Sequence, residues 1–237
     1  MIQKTFPDLM EGGWNIICDF DGTITRFDVT DAVLGKFADP DWENVEKEWL
    51  DGTITARQCM ERQIPMIDVA PADLDAFLDT VPITDGFAEF TRFCAENGLD
   101  ILVVSDGMDY TIKRILVGNG YGNIPVVANR LLFQEKSGYR LEFPYGSAEC
   151  KSGVCKCNVA KAGGGKILLI GDGRSDVCIS GMASFVFAKR GKHLHRHCEE
   201  NAIPHVVFND FFDILRHLTS VREQGAVCNA DDLTTAL

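Results

Sequence analysis

Trp14-Asn15-Ile16-Ile17-Cys18 is an apolar run that leads directly into two carboxylates, in Asp19-Phe20-Asp21-Gly22-Thr23. The apolar run predicts a buried strand, and the residues after it predict a turn. Because side chains at i and i+2 of a strand point the same way, Asp19 and Asp21 are expected to emerge together where the chain leaves the sheet. Ligands of open α/β sheets bind beyond the carboxyl ends of the strands. The pair therefore predicts a site for a divalent cation and a phosphate ester.

Strand and helix patterns alternate along the rest of the chain. The further strand candidates are Ile101–Val104, Val126–Ala128, Ile167–Ile170, Phe185–Ala188 and Val206–Phe208. The helical patterns are Gly86–Asn97, Tyr110–Asn119, Ser175–Ala183 and Phe211–Arg222. This alternation predicts an α/β fold with a mostly parallel, Rossmann-like sheet and helices on both faces. A hairpin is predicted over Leu131–Glu142, turning at Lys136-Ser137-Gly138.

The alternation is interrupted between the first two strands. From about Asp28 to about Thr84 the sequence has no strand pattern but several amphipathic helical segments. A single crossover needs only one helix, so residues 28–83 are predicted to be a small helical cap domain over the carboxyl ends of the strands. Residues 1–27 and 84–237 are predicted to form the catalytic core.

Composition limits the partners. The 237 residues carry a formal net charge of −12, which argues against nucleic acid because phosphate backbones are bound by an excess of Lys and Arg. No membrane-spanning stretch or secretory signal is apparent, so a cytoplasmic location without membrane binding is expected. The expected partner is a small phosphorylated metabolite. A homodimer through the cap or the Leu131–Glu142 hairpin stays open, since no interface pattern stands out.

Three more residues that suit phosphate or metal binding follow predicted strands. Ser105 follows Ile101–Val104, and a hydroxyl beside turn amides can hold a phosphoryl oxygen. Asp172 and Asp176 follow Ile167–Ile170 in the segment Gly171-Asp172-Gly173-Arg174-Ser175-Asp176, whose glycines permit a tight turn. Ser and Asp are also favoured as helix N-caps, so a purely structural role for Ser105 and Asp176 stays open.

Together these segments resemble the first, second and fourth motifs of the haloacid dehalogenase (HAD) superfamily, in its phosphoserine-phosphatase-like branch, subfamily IB. The resemblance spans nearly the whole chain. It extends to the phosphatases of methionine salvage through Ile17–Thr25, Ser105–Tyr110 and the cysteine-rich stretch before Lys156. It implies a HAD core with a C1-type helical cap and Mg²⁺-dependent hydrolysis of a small phosphate monoester.

The resemblance leaves the substrate open between several small phosphates. A hydroxy-keto methylthiopentenyl phosphate is expected first, with phosphoserine, phosphocholine and phosphoethanolamine as alternatives. The Ser105-Asp106 pairing in particular is similar to that of phosphocholine and phosphoethanolamine phosphatases. A non-catalytic regulatory protein with the same fold is the alternative of a different class.

The superfamily's catalytic roles fall on five residues. The resemblance implies that Asp19 is the nucleophile that becomes an aspartyl phosphate, and that Asp21 is the general acid and base. Asp19, Asp172 and the backbone carbonyl of Asp21 would hold the magnesium ion. Ser105 and Lys156 would hold the phosphoryl oxygens and offset their charge.

The lysine assignment has competitors. The superfamily's lysine lies upstream of the Gly-Asp strand, where Lys151 and Lys161 are alternatives to Lys156. Asp176 is expected to support the site by orienting that lysine or a metal-bound water.

Specificity is expected to come from the loop after Ser105 and from the cap. Asp106 and Gly107 are expected to contact phosphate, although a carboxylate there must point away or meet a cation. The resemblance implies that Asp28 contacts a substrate amine and that Arg62, or else Arg57, binds a carboxylate. These cap residues also fit solvent-exposed helix faces. A pocket for a thioether tail, or plain helix packing, would use Phe27, Trp42, Trp49 and Met66.

A cysteine cluster, Cys150, Cys155 and Cys157, lies in a loop rich in Gly, Ser and Lys. With Cys198 or a histidine of His193-Leu194-His195-Arg196-His197 it would have enough ligands for zinc. Its spacing differs from the paired Cys-x2-Cys of zinc modules, so reduced structural thiols are the other interpretation.

Overall fold

Residues 14–136 and 138–221 are described by the computed structural model of the chain. Their strands are β1 (Trp14–Cys18), β2 (Asp100–Met108), β3 (Val126–Gln134), β4 (Gly138–Glu142), β5 (Lys166–Gly171), β6 (Phe185–Lys189) and β7 (Val206–Phe208). These strands form one sheet in the order β4-β3-β2-β1-β5-β6-β7. All neighbours are parallel except β3 and β4, which pair antiparallel.

The helices in the described ranges are α1 (Val29–Phe37), α2 (Trp42–Leu50), α3 (Ala56–Gln63), α4 (Pro71–Leu78), α5 (Phe87–Glu96), α6 (Asp109–Gly118), α7 (Lys156–Gly163), α8 (Val177–Ser180), α9 (His193–Glu200) and α10 (211–221). Local chemistry explains where several begin. The Asp28 carboxylate accepts the amide of Asp31 in the first turn of α1, and α3 begins with a reciprocal cap between Thr55 and Gln58. Pro71 opens α4, where its missing N–H costs no hydrogen bond. No helix in this part of the chain is long and apolar enough to cross a bilayer.

The core lies on both faces of the sheet. Ile16 and Cys18 of β1 belong to one apolar cluster, whereas Ile17 between them belongs to the cluster on the opposite face. This two-residue alternation, with apolar side chains on both faces, is typical of a central parallel strand covered on each side by helices. The sheet is therefore rigid where β1 ends.

Helices α1 and α4 share an apolar core with the sheet. Their buried side chains, such as Leu34 and Leu74, belong to the same cluster as Ile16 of β1 and Phe90 of α5. Two isolated bridges also pair residues at the borders of this segment and within it, Thr25 with Ile83 and Ala38 with Ile67. The segment thus packs against the core of the sheet through α1 and α4.

The predicted α/β fold, the mostly parallel sheet and the hairpin are confirmed. Two boundaries were wrong. The second strand continues beyond Val104 to Met108, because a register shift lets the chain keep pairing with β3. The helix predicted over Ser175–Ala183 is a 3₁₀ turn, Arg174–Asp176, followed by the short α8 that ends at Ser180. Residues 1–13 and 222–237 of the predicted core, together with Ser137 of the predicted turn, lie outside the described residues.

Candidate active site

Asp19 is the first residue after β1 and is held from two sides. Its amide donates to the carbonyl of Ile170 at 2.9 Å, so it still pairs with β5. Its Oδ1 accepts the amide of Phe20 at 2.8 Å. Gly22, in the turn that follows, has φ +68°, and a Cβ there would lie 2.5 Å from Oδ2 of Asp172. Only glycine fits a turn that approaches a carboxylate this closely.

Asp21 faces the end of β2. Its Oδ1 accepts the amide of Val29 at 2.9 Å, at the start of α1. The hydroxyl of Ser105 donates to Oδ2 of Asp21 at 3.4 Å and accepts the amide of Gly107 at 2.9 Å. A Cβ on Gly107 would collide with Asp21 Oδ2. The carboxyl group therefore lies directly over the Ser105–Gly107 turn.

Lys156 is the cation behind these carboxylates. It begins α7 and is only 1% exposed. Its Nζ lies 3.0 Å from Asp19 Oδ1 and 2.7 Å from Asp176 Oδ1. Asp176 Oδ2 accepts the amides of Asp172 and Gly173 at 3.1 and 3.0 Å. One buried carboxylate thus orients both the lysine and the loop that carries Asp172.

These groups surround a cavity of about 420 Å³ at the carboxyl ends of the strands. Asp19, Asp21, Ser105 and Asp172 line its floor, whereas Lys156 lies behind them and outside the lining. The opposite wall comes from α1, α2 and α3. The predicted convergence of strand ends β1, β2 and β5 is present in the structure.

The buried carboxylates outnumber the buried cation, and their pKa values are raised. Burial, and next the charge of Asp176, raise the pKa of Asp19 well above its usual value. Burial and the charge of Asp28 do the same to the pKa of Asp21. The pKa of Asp172 rises to about 6 through burial and then Asp176. Burial alone would lower the pKa of Lys156, but Asp176 and Asp19 outweigh it and raise that pKa.

The acidic floor fits a hard divalent cation. Among the described residues, one group of three acidic side chains presents ligand oxygens within 4.8 Å of one another, namely Asp19, Asp172 and Asp176. Asp176 is already engaged by Lys156 and by two amides. Asp19 and Asp172 are therefore the carboxylates available to a metal. Oxygen ligands with excess negative charge suit Mg²⁺ and similar ions.

The remaining predicted phosphate-loop residue, Asp106, has its side chain turned away from the cavity floor. Its Oδ1 accepts the amide of Val154 at 2.7 Å and lies 3.4 Å from Nδ2 of Asn129. Burial raises the pKa of this carboxyl group. The side chain thus anchors the loop before α7, and only the backbone of Asp106 is left to meet a phosphate.

Only some of the specificity residues predicted in segment 28–83 line the cavity. Asp28 lines the cavity and also caps α1 through the amide of Asp31, so its contact with a substrate amine stays a prediction. Arg62 is not brought to the cavity, because its guanidinium forms two hydrogen bonds with Glu48 at 2.6 and 2.9 Å. Arg57 pairs with Glu61 and lies over the Phe143 ring. Of the four apolar candidates, Trp49 alone lines the cavity.

The cysteine cluster is not assembled as a metal site. Cys150, Cys155, Cys157 and Cys198 are free thiols. Within residues 14–136 and 138–221, no set of three Cys or His ligand atoms meets the 4.8 Å spacing that the acidic group meets. The interpretation as separate thiols fits this arrangement better than zinc.

Several cavity residues escaped the sequence-based predictions. Thr30 carries a buried hydroxyl oxygen without a hydrogen-bond partner in the described part of the chain, and it lines the cavity beside Gly107. Asp31 and Glu46 add carboxylates to the cap wall. Helical periodicity marks which residues share a face, but it does not say which face meets the strand ends.

The raised pKa values of the carboxyl groups predict how the stability of the metal-free protein depends on pH. Burial and the charge of Asp28 raise the pKa of Asp31 to about 7. Because the folded state then holds a proton that the unfolded state releases near pH 4, Asp31 lowers the free energy of unfolding as pH rises from about 4 to 7. We expect Asp31→Asn to lose less stability than the parent between pH 5 and 8. The difference should be on the order of 1 kcal/mol, because part of the Asp31 side chain stays open to solvent, which screens its charge.

Urea unfolding in EDTA at the two pH values measures this difference. A variant that loses as much stability as the parent, or more, would show that Asp31 does not titrate in this window.

The chain matches a family model described as "Putative Phosphatase" over residues 15–209. A 2-hydroxy-3-keto-5-methylthiopentenyl-1-phosphate phosphatase of Brevibacillus brevis is 29% identical over 222 residues, covering 88% of this chain and 96% of that protein. A phosphoserine phosphohydrolase-like protein of Francisella tularensis aligns with a TM-score of 0.63 at 21% identity, covering 85% of this chain and 98% of that one. A phosphoserine phosphatase with a phospho-aspartyl intermediate analogue gives 0.63 at 20% identity, covering 85% and 97%. Both structures share the fold of this chain.

A match that runs through the sheet and the strand-end residues shows that the chain belongs to the phosphatase family whose model covers residues 15–209. Together with the curated relative, this makes the protein a phosphoric monoester hydrolase whose fold is that of the solved phosphoserine phosphatases. The enzyme class predicted from sequence is confirmed, and the non-catalytic alternative is set aside.

Proposed function

We propose that the protein hydrolyses a small phosphate monoester through an aspartyl phosphate on Asp19, with Mg²⁺ as cofactor. The observation that carries this proposal is the meeting of Asp19, Asp21, Ser105 and Asp172 in one cavity, with Lys156 behind them. Asp19 and Asp21 follow β1, Asp172 follows β5, Ser105 lies near the carboxyl end of β2 and Lys156 begins α7, so their spacing depends on the sheet.

The first step is attack by Asp19 on phosphorus. Oδ1 of Asp19 is held by Lys156 and by the amide of Phe20, which leaves Oδ2 to form the new bond. The bond between phosphorus and the ester oxygen breaks, and Asp21 gives its proton to the leaving alkoxide. The raised pKa of Asp21 supports this role, because it keeps the carboxyl group protonated closer to neutral pH.

The second step reverses the proton transfer. Asp21, now ionised, takes a proton from a water molecule, and the resulting hydroxide attacks phosphorus. The bond between phosphorus and Asp19 breaks, which releases phosphate and restores the Asp19 carboxylate. Lys156, beside Asp19, and Ser105, whose hydroxyl oxygen accepts the amide of Gly107, would offset charge on the phosphoryl oxygens.

Asp19, Asp172 and the backbone carbonyl of Asp21 would hold the magnesium ion. The ion would neutralise the excess charge of the floor and of the substrate phosphate, which lowers their repulsion. Asp176 would support the site through Lys156 and the Asp172 loop, since its oxygens are engaged there.

We further propose that residues 28–83 act as a cap domain that contributes the substrate wall. Trp49, Ile54 and Met60 give this wall an apolar side that suits a thioether tail. With the activity named for the Brevibacillus brevis relative, this supports 2-hydroxy-3-keto-5-methylthiopentenyl-1-phosphate as the substrate, which would make methionine salvage the setting.

A second substrate class has one observation in its favour. Asp28, Asp31 and Glu46 put three carboxylates on the cap side of the cavity. Such a wall favours an ammonium group, as in phosphoserine, phosphoethanolamine or phosphocholine.

Phosphate release from these four substrates, with Mg²⁺ and with EDTA, tests the proposal. We expect turnover only with Mg²⁺, highest with the hydroxy-keto phosphate. A preference for the ammonium-bearing substrates would favour the second class. Turnover unaffected by EDTA would contradict the metal, and no turnover on a broad panel would contradict the proposed reaction.

A further inference from the structure

Arg174 lies at the rim of the cavity, on the turn that follows Asp172. Its side chain is exposed and lines the cavity. Its backbone begins the 3₁₀ turn Arg174–Asp176, and Asp176 Oδ2 accepts the amide of Gly173 just before that turn. Asp176 also binds Lys156, so the base of Arg174 is fixed to the catalytic floor while its guanidinium reaches outward.

The guanidinium reaches an aromatic ring of the cap. Its carbon lies 5.5 Å from the centroid of the Trp49 ring, on α2. Trp49 also lines the cavity. A guanidinium over an indole face is attracted electrostatically by the negative face of the ring. The stack restricts the orientation of Arg174 and leaves N–H groups at its edge for another partner.

Arg174 also has its charge available. The guanidinium groups of Arg62 and Arg114 form ion pairs with carboxylates of neighbouring helices. Among the ion pairs of the described residues, Arg174 takes part in none, and its positive charge adds to burial in lowering the pKa of His193. A guanidinium has five N–H donors and no acceptor, so an oxygen acceptor is the partner that suits it.

We propose that Arg174, oriented by Trp49, is a specificity-determining residue that binds an oxygen acceptor on the leaving group of the substrate. The acceptor is a keto or hydroxyl oxygen in a hydroxy-keto phosphate, or the carboxylate in phosphoserine. This inference rests on the proposed function, because it takes the phosphoryl group to lie at Asp19. From the rim of the cavity, Arg174 binds the part of the substrate that points toward segment 28–83.

The test compares substrates that do and do not offer the acceptor. Phosphoserine and phosphoethanolamine differ only by a carboxylate, and 4-nitrophenyl phosphate offers no keto, hydroxyl or carboxylate oxygen. The full chain with saturating Mg²⁺ is assayed as the parent, Arg174→Gln, Arg174→Lys and Trp49→Leu. Arg92→Gln, which removes an exposed arginine on α5, is the matched control for charge.

For Arg174→Gln we expect a rise in KM of about 10- to 100-fold on the hydroxy-keto phosphate or phosphoserine, whichever the parent prefers. Its kcat/KM on phosphoethanolamine and 4-nitrophenyl phosphate should stay within about twofold of the parent. Arg174→Lys should recover part of the loss, since it restores charge but not the planar fork. Trp49→Leu should act in the same direction by about two- to fivefold. Arg92→Gln should match the parent on all substrates.

Equal losses on both substrate groups would overturn the inference, because Arg174 would then act on the phosphoryl group itself. No change on either group would also overturn it. Both results leave the proposed reaction standing, since the parent still turns over. A parent that hydrolyses none of the substrates would instead contradict the proposed function and overturn this inference with it.

Discussion

Replacing Asp19 with asparagine is expected to lower kcat/KM by about 10⁴-fold or more while the protein stays folded. The amide cannot form the acyl phosphate, so the substitution removes the covalent step itself. The fold should survive because Asp19 is one of several carboxylates that crowd a single buried cation. Removing its charge relieves repulsion from Asp176 and Asp172, which offsets the lost contact with Lys156.

Phosphate release measures the activity, and urea unfolding measures the stability. The matched control is Asp100→Asn, which changes an exposed aspartate at the opposite end of β2 and should leave both quantities unchanged. Residual turnover of Asp19→Asn within tenfold of the parent would be incompatible with a nucleophilic role for Asp19.

The second large effect is expected from Lys156→Met. Lys156 is buried between Asp19 and Asp176, and its loss leaves two carboxylates without their shared cation. Removing one partner of a buried ion pair costs about 3–5 kcal/mol, so we expect the free energy of unfolding to fall by that amount at neutral pH. Activity should be lost as well, because the phosphoryl oxygens lose their buried counter-charge.

Two further variants make this prediction decisive. Lys161→Met changes an exposed lysine on the same helix and should alter stability by less than about 0.5 kcal/mol. The double variant Lys156→Met with Asp176→Asn removes one of the two uncompensated charges and should recover part of the stability without recovering activity. If Lys156→Met were as stable as Lys161→Met, the ion-pair account of the floor would be wrong.

The sequence was sufficient for the residues that follow strands. Asp19, Ser105 and Asp172 each come directly after a short apolar run, and parallel strands bring such positions to one edge of the sheet. The sequence alone does not distinguish Lys156 from Lys151 and Lys161, because the three lysines are spaced five residues apart and none directly follows a strand. The choice depends on tertiary packing, which buries Lys156 against Asp176 and leaves Lys161 in solvent.

Which residues of α1, α2 and α3 line the cavity could not be predicted for a related reason. The buried side chains of α3 include Cys59, Met60 and Gln63, and this register turns Arg62 toward Glu48 rather than toward the cavity. Arg174 lies in the predicted site segment Gly171–Asp176, but the sequence does not show that it contacts Trp49. The contact with Trp49 joins residues far apart in sequence, and only the packing of α2 on the strand ends creates it.

The most direct test of the account is to look for phosphate on Asp19. The full chain is mixed with substrate and Mg²⁺, quenched in acid within milliseconds, and treated with borohydride, which reduces an acyl phosphate to an alcohol. Peptide mass spectrometry then locates the reduced residue. The account predicts reduction at Asp19 in the parent and at no acidic residue in Asp19→Asn. Steady turnover with Asp19 unmodified, or reduction at a different carboxylate, would contradict it.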